Sequence, residues 1–281
     1  MAFVYTRPPL TQNALSLGAV GAAVLLLLWP EFPPLWASWV AAMPAWFKFT
    51  GVVFVLHAVI FWAFVAMCAY VDRTGGPAWI ARHRIQTDIK KQPPREKVVR
   101  NLAANQLFWT PLILAGIWQL LVLRGWERAA TLPSPLRFLG MMAGLTVISA
   151  AWFYASHRFL HRPWWMRRVH AVHHEFRTST ALAAEYAHPV EFIIGNFGTM
   201  AVGVIILAPS LFTIYVYAAL GTFTFVAHHC GFAIPWISSP VHHDWHHFRY
   251  VEAFGTFGVL DHLLGTGKEY DKLEHGQRVE K

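Results

Sequence analysis

Histidine is the residue type in this sequence whose spacing points most directly to chemistry. Twelve of the sixteen histidines lie between positions 157 and 247. Eight of them form three spaced groups: His157 with His161, His170 with His173 and His174, and His243 with His246 and His247. Imidazole is the commonest neutral metal ligand in proteins, and residues four apart on a helix share one face. The three groups therefore predict a metal site.

The number of candidate ligands favours two metal ions over one. A structural zinc uses four protein ligands and a catalytic zinc three, so eight or more imidazoles exceed what one ion can use. By ligand type alone, zinc, iron, copper and nickel all remain open. The predicted ligands are His157, His161, His170, His173, His174, His188, His229, His243, His246 and His247.

Three acidic residues near the histidine groups are candidates to orient the ligands. Glu175 and Asp244 are sequence neighbours of ligand candidates, and Asp261 follows the last group. Metal-bound histidines commonly donate their second ring N–H to a carboxylate, which fixes the ring. The alternative interpretation is that these acids are ordinary surface charges.

The composition excludes an ordinary soluble protein. Hydrophobic residues make up 56% of the chain and charged residues only 14%, with 14 Trp and 21 Phe. The net charge of +8 does not indicate nucleic-acid binding, because the basic residues gather between apolar runs and no recognition element is visible. Cys68 and Cys230 do not imply a disulfide framework. No cleavable signal peptide is expected, since the first apolar stretch ends at Trp29-Pro30 without a cleavage pattern.

Apolar runs predict the membrane-spanning helices. A helix needs about 20 apolar residues to cross the hydrocarbon layer. Runs occur at 14–29, 50–71, 105–123, 136–155, 192–208 and 211–227. The last two are separated by Ala208-Pro209-Ser210, which predicts a helical hairpin. We expect an all-α integral membrane protein with four to six membrane-embedded helices and a cytoplasmic, histidine-rich, metal-binding cap.

The charge of the loops predicts which side the histidines face. The segment 72–104 is rich in Arg and Lys, so the positive-inside rule places it in the cytoplasm. Counting crossings from there brings all three histidine groups to the same side. We expect a multi-pass protein of the endoplasmic reticulum in a eukaryote or of the inner membrane in a bacterium. One domain, 1–281, would combine membrane helices and a basic loop (1–135) with the histidine region (136–270).

The histidine groups lie in segments that resemble a known family. Their order around a hydrophobic hairpin is similar to that of the fatty-acid hydroxylase/sterol desaturase superfamily of membrane di-iron oxygenases. Within it, three segments look like those of sterol C4-methyl oxidases, the last also like cholesterol 25-hydroxylases: Glu185-Tyr-Ala-His-Pro-Val-Glu191, Ala227-His-His-Cys-Gly-Phe-Ala-Ile-Pro-Trp236 and Asp261-His-Leu-Leu-Gly-Thr266. The resemblance covers about residues 150–270.

The resemblance implies two iron ions, dioxygen and hydroxylation of an unactivated C–H bond of a lipid, foremost a C4 methyl group of a sterol. Zinc can replace iron in purified protein, because it binds nitrogen sites more tightly than iron(II). The sequence has no dinucleotide, haem or iron–sulfur motif, so an external donor such as cytochrome b5 or a reductase must supply electrons. The sequence departs from the family pattern in two places: His228 is an additional histidine beside His229, and the stretch between Trp236 and His243 is short. Because that stretch lies near the substrate entrance in such a fold, its length suggests a different substrate.

Other functions remain open at this point. Within the superfamily, the alternatives are a sphingoid-base, fatty-acyl or terpenoid hydroxylase, or a desaturase. A metal transporter would carry its ligands in the middle of its spans, whereas these histidines lie near or beyond span ends. A membrane metalloprotease would need H-E-x-x-H, which His174-Glu175 does not begin. A scaffold that merely binds metal is the last alternative.

Overall fold

The described part of the chain is helical, apart from one short antiparallel pair of strands that brings residues near the start and the end of the sequence together. The structure is a computed structural model that describes residues 2–8, 11–86, 92–126 and 131–280. In chain order its helices are α1 (Ala14–Leu28), α2 (Phe32–Ala41), α3 (Ala45–Thr74), α4 (Ala78–Ala81), α5 (Arg95–Leu123), α6 (Pro135–Leu160), α7 (Pro163–Trp165), α8 (Pro189–Leu207), α9 (Leu211–His229), α10 (Val241–Arg249) and α11 (Val259–Leu264). Strands β1 (Ala2–Val4) and β2 (Arg278–Glu280) pair antiparallel, with Phe3 opposite Val279.

Five described helices are long and apolar enough to cross a membrane, namely α3, α5, α6, α8 and α9. The pair α1 and α2 is bent by 94° and adds a sixth span if it is counted as one. The predicted hairpin is confirmed: Ala208 adopts a left-handed conformation (φ 44°), and the Ser210 side chain accepts the Thr213 N–H at the start of α9. The expected all-α membrane architecture is therefore confirmed.

Part of the expected basic loop is helical. The helix α5 begins at Arg95, ten residues before the apolar run that predicted it. Its first turns are amphipathic, and Val98 and Leu102 are buried against α3 and the segment Ala181–Ala184. Tertiary burial of two side chains thus extends the helix through a polar stretch. The charged residues Asp88, Lys90 and Lys91 of this loop lie outside the described residues.

The membrane helices pack through small residues and leave apolar side chains on the outside. A Cβ at Gly203 of α8 would lie 3.1 Å from the Leu145 side chain of α6, so glycine permits the close approach of these helices. Leu123, Leu136 and Val147 are among the most exposed apolar side chains. Such exposure suits contact with lipid, since acyl chains solvate apolar side chains that water does not.

The residues after α6 and after α9 form a cap over one end of the helices. In the cap, Trp245 and Phe248 of α10 pack against Phe3 of β1, with ring centroids 5.0 and 5.7 Å apart. The Asp261 carboxylate of α11 accepts the backbone N–H groups of Phe254 and Gly255. These contacts fix α10 and the loop after it, which carry part of the histidine site.

Candidate metal centre

Nine buried or half-buried histidines converge in two adjacent groups. In each group the candidate ligand atoms all lie within 4.8 Å of one another. The first group is His157, His161, His170, His174 and His246, and the second is His173, His229, His243 and His247. They come from α6, α9, α10 and the turns between Met166 and Glu175.

Helical spacing explains why the H-x-x-H-H segment of α10 serves both groups. On α10, His243 and His247 are four residues apart, share a face and belong to the second group. His246 is displaced around the helix from this face, because each residue turns the helix by about 100°. It therefore reaches the first group. The segment 170–174 divides in the same pattern, with His170 and His174 in one group and His173 in the other, although it consists of a π-helical turn followed by a 3-10 turn.

Backbone carbonyls hold most of the imidazoles by their Nδ1 atoms. The Nδ1 of His157 lies 2.8 Å from the Phe254 carbonyl oxygen, and that of His246 lies 2.8 Å from the Glu252 carbonyl oxygen. The same contact is made by His173 with Tyr186 (3.2 Å), His229 with Phe225 (2.8 Å) and His247 with Phe176 (3.1 Å). A carbonyl oxygen only accepts, so Nδ1 carries the proton and Nε2 presents a lone pair.

The Nε2 atoms point at each other at distances that fit a bound cation. In the first group, His161 Nε2 lies 3.0 Å from His246 Nε2 and 2.9 Å from His170 Nε2. In the second, His229 Nε2 lies 2.9 Å from His243 Nε2 and 3.4 Å from His173 Nε2. Nitrogens about 2.0–2.1 Å from one metal ion are separated by about 2.9–3.4 Å at right to tetrahedral angles.

Two imidazoles that both donate through Nδ1 cannot form a hydrogen bond between their Nε2 atoms, because neither Nε2 carries a proton. The Nε2 atoms of His173 and His229 then both carry lone pairs, which repel unless a cation lies between them. His157 Nε2 is also buried without a hydrogen-bond partner among the described residues. The residues of both groups therefore fit a divalent transition metal.

Burial keeps the cap histidines neutral, which is the form that binds metal. Burial, reinforced by neighbouring imidazoles, lowers the pKa of His161 to about 2. Burial alone lowers the pKa of His170 to about 3. It also holds the pKa values of His243, His246 and His247 well below 6.5.

Glu191 is a functional candidate that the sequence analysis missed. Its Oε1 lies 2.7 Å from His170 Nδ1, and the carboxylate is buried at the start of α8. It is thus the acid that directly orients a histidine of the first group. The sequence signal that could have indicated Glu191 is its place in the segment Glu185–Glu191, which resembles a segment of sterol C4-methyl oxidases.

The three acids predicted for this role make their contacts one step further away. Glu175 accepts a hydrogen bond from the Tyr186 hydroxyl at 2.7 Å, and the Tyr186 carbonyl holds His173. Asp261 holds the backbone of Phe254, whose carbonyl holds His157.

Asp244 accepts from the Gln86 side chain at 2.8 Å and so joins α10 to the segment that follows α4. Burial raises the pKa of the Asp244 carboxyl to about 6, although the hydrogen bond from Gln86 opposes this shift.

Two other histidines, His188 and His57, lie outside both groups and make other contacts. His188 is a predicted ligand that is not a member of either group; its Nδ1 accepts the Val190 N–H at 3.2 Å and caps α8. His57 lies within α3, and its Nε2 is 2.8 Å from Glu185 Oε1. The sequence signal that could have indicated the His57–Glu185 pair is an ionisable residue, His57, inside the apolar run 50–71.

An apolar cavity reaches the second histidine group from the membrane region. Its volume is about 410 Å³, and it lies between α1, α6, α8 and α9. Met142 and Leu220 line its apolar part, and His229 and His243 lie at its end. Such a cavity can place a lipid beside the metal ligands.

Comparison with known proteins decides the family. Residues 142–266 match the family model described as fatty acid hydroxylase. Methylsterol monooxygenase 2-2 of Arabidopsis thaliana is 30% identical to this chain, over 79% of the chain and 86% of the relative. The chain belongs to the fatty acid hydroxylase family. The predicted resemblance to the fatty-acid hydroxylase/sterol desaturase superfamily is confirmed.

Further members of the family carry different names. Fatty acid hydroxylase domain-containing protein 2 of Macaca fascicularis is 33% identical over 74% of this chain, which spans 63% of that relative's length. Very-long-chain aldehyde decarbonylase GL1-11 of Oryza sativa subsp. japonica is 29% identical over 79% of this chain and 86% of its own length. No solved structure matches the chain. The matched family model is described as fatty acid hydroxylase, and one of these relatives is named a methylsterol monooxygenase.

Proposed function

We propose that this chain is a membrane-bound, oxygen-dependent lipid hydroxylase whose two histidine groups hold two iron ions. The observation that carries the proposal is the convergence of nine imidazoles in two adjacent groups, the second of which lies at the end of an apolar cavity. The proposed ligands are the nine members of these groups. Zinc can occupy the same nitrogen sites in purified protein.

The chain itself contributes positioning and shielding. When bound, the irons together with dioxygen would supply the oxidising power that an unactivated C–H bond requires. The carbonyls of Tyr186, Phe225 and Glu252 hold the rings so that Nε2 faces the ions. The carboxylate of Glu191 does the same for His170. The apolar walls exclude water and guide a lipid to the site.

For the substrate we propose a sterol-like lipid oxidised at a C4 methyl group. Similarity to a methylsterol monooxygenase over most of both chains supports this choice. A rigid ring system also loses little rotational entropy on burial, and flat faces suit aromatic walls such as Phe153 and Phe225. The second candidate is an acyl-type substrate, which the similarity to a very-long-chain aldehyde decarbonylase favours.

Electrons would come from a separate protein such as cytochrome b5 or a reductase at the cytoplasmic face. The segment 72–104 contains the exposed residues Arg73, Arg82, Arg95 and Arg100. Such a basic segment suits an acidic donor.

We further propose that residues 1–281 act as one domain. The helix α1 of the N-terminal half contributes Leu17 and Val20 to the cavity that ends at His229 of the C-terminal half. Neither half therefore contains the complete cavity.

The test is oxygenation under labelled dioxygen. Iron-loaded enzyme in lipid bilayers receives reducing equivalents and, separately, 4-methylsterols, non-methylated sterols, sphingoid bases and acyl lipids. We expect the label in a 4-methylsterol product. Label found only in an acyl or sphingoid product contradicts the sterol assignment, and absence of label from every lipid contradicts the hydroxylase itself.

A further inference from the structure

The cavity at the histidine site is elongated and has two unlike ends. Along α6 it is lined from Leu139 through Met142 and Thr146 to Phe153, which is one face of the helix. At 1.5 Å per residue this face is about 20 Å long. Phe153 lies one turn before the ligand candidate His157. The end that starts at Leu139 is apolar, and the other end faces the metal centre.

Polar side chains also line the cavity. Among them are Ser16, His228 and Thr256, together with the ligand candidates His229 and His243. Ser16 belongs to the first turn of α1, where the Leu15 N–H donates to the Trp236 carbonyl at 3.1 Å. The loop from Cys230 to Pro240 thereby holds the start of α1 against the end of α9.

His228 is fixed by this same loop. Its Nε2 lies 2.5 Å from the Ser238 hydroxyl oxygen, and the ring is 5% exposed. The second ring nitrogen, Nδ1, then remains for a ligand in the cavity. Both partners belong to the departures from the family pattern noted in the sequence, since His228 is the additional histidine and Ser238 lies in the short stretch before His243. The two departures therefore meet in one contact.

Ser16 is a second group with unused hydrogen-bonding capacity. Its Oγ is buried and has no hydrogen-bond partner among the described residues. A buried hydroxyl without a partner costs free energy, and a ligand oxygen would remove that cost. Two polar groups from different helices, Ser16 of α1 and His228 of α9, thus line the same cavity.

We propose that His228 and Ser16 bind an oxygen substituent of the lipid substrate, and that Ser238 positions the His228 ring. The inference rests on the proposed lipid hydroxylase and adds the orientation of its substrate. The polar end of the lipid lies at the metal centre, and the apolar body extends along α6 towards Leu139. The carbon that is oxidised is therefore close to the substrate's own oxygen substituent and not at the remote end of a hydrocarbon chain.

Equilibrium binding of paired lipids tests this proposal without requiring turnover. The lipids are a 3-hydroxy-4-methylsterol with its 3-deoxy counterpart, and a long-chain primary alcohol with the alkane of equal length. Zinc-loaded protein in bilayers is compared with His228→Phe, Ser16→Ala and the control Thr146→Val. The Thr146 hydroxyl lines the apolar part of the cavity and already donates to the Met142 carbonyl at 2.8 Å.

We expect the wild type to bind the hydroxylated member of at least one pair about tenfold more tightly than its partner, as one hydrogen bond to a buried group supports. The ratio of the two affinities, hydroxylated lipid over its partner, should fall towards one in His228→Phe and in Ser16→Ala. It should stay unchanged in Thr146→Val. Metal content is measured for every variant, so that loss of the metal site can be told apart from loss of lipid recognition. Ser16→Ala provides a second check, because Ser16 belongs to α1 and its substitution leaves the sequence of α9 unchanged.

Two outcomes overturn the proposal: a wild type that does not discriminate within either pair, or discrimination that survives both substitutions. Failure of the lipid hydroxylase is a different result, because it is absence of labelled oxygen from all products while binding remains measurable. Where a product forms, its label should lie beside the hydroxyl-bearing end, and label at the far end of the hydrocarbon likewise overturns the orientation.

Discussion

At the scale of single residues, the centre depends on groups that fix imidazole orientation as well as on the imidazoles themselves. Glu191 holds His170 at 2.7 Å, so Glu191→Ala should lower metal affinity about 10–100-fold while leaving all nine rings present. His246→Ala should reduce the metal content directly, because it opens a coordination position.

Metal titration of the purified variants measures both effects, with His83→Ala as the control, since His83 lies apart from both groups. Metal affinity in Glu191→Ala equal to that of the wild type would show that His170 keeps its orientation without the carboxylate.

At the scale of elements, the order of the helices predicts that the whole cap lies on one side of the membrane. Five successive crossings by α3, α5, α6, α8 and α9 would bring the loop after α3, the segment after α6 and the segment after α9 to the same side. The basic residues of that loop predict the cytoplasmic side.

Single cysteines at exposed positions test this arrangement, because the native Cys68 and Cys230 are buried. Glu96→Cys and Val251→Cys should react with a membrane-impermeant reagent from the cytoplasm, and Thr131→Cys from the opposite side. If positions 96 and 251 react from opposite sides of the membrane, one of the five helices does not cross it.

At the scale of the whole molecule, metal binding should stabilise the fold, because the ligands come from α6, α9, α10 and the turns between Met166 and Glu175. Metal at about 1,000 times its Kd contributes about 4 kcal/mol of unfolding free energy. Its removal by a chelator should therefore lower Tm by about 10 °C.

Thermal unfolding in bilayers or detergent, followed with and without chelator, measures this shift. Readdition of zinc should restore the original Tm. An unchanged Tm after complete metal removal would indicate that helix packing alone holds the cap together.

The sequence by itself determined the apolar helices, the hairpin and most of the histidines that converge in the two groups. Hydrophobic periods and runs are local properties, and the apolar runs 136–155 and 211–227 became α6 and α9 with few changes at their ends. Ligand spacing is also local where a helix carries it, which is why His157 with His161 and His243 with His247 were identifiable.

Only the tertiary structure decided how the histidines divide into two groups and which groups support them. Glu191 is 21 residues from His170 in the sequence, and the carbonyl that holds His157 belongs to Phe254, 97 residues away. Local patterns cannot reveal such pairs, because the chain returns to the site through long connections. The same reason explains His57, which meets Glu185 across the bundle. His188 differs, because its contact with the Val190 N–H is local, and only the packing of the chain shows that it lies outside both groups.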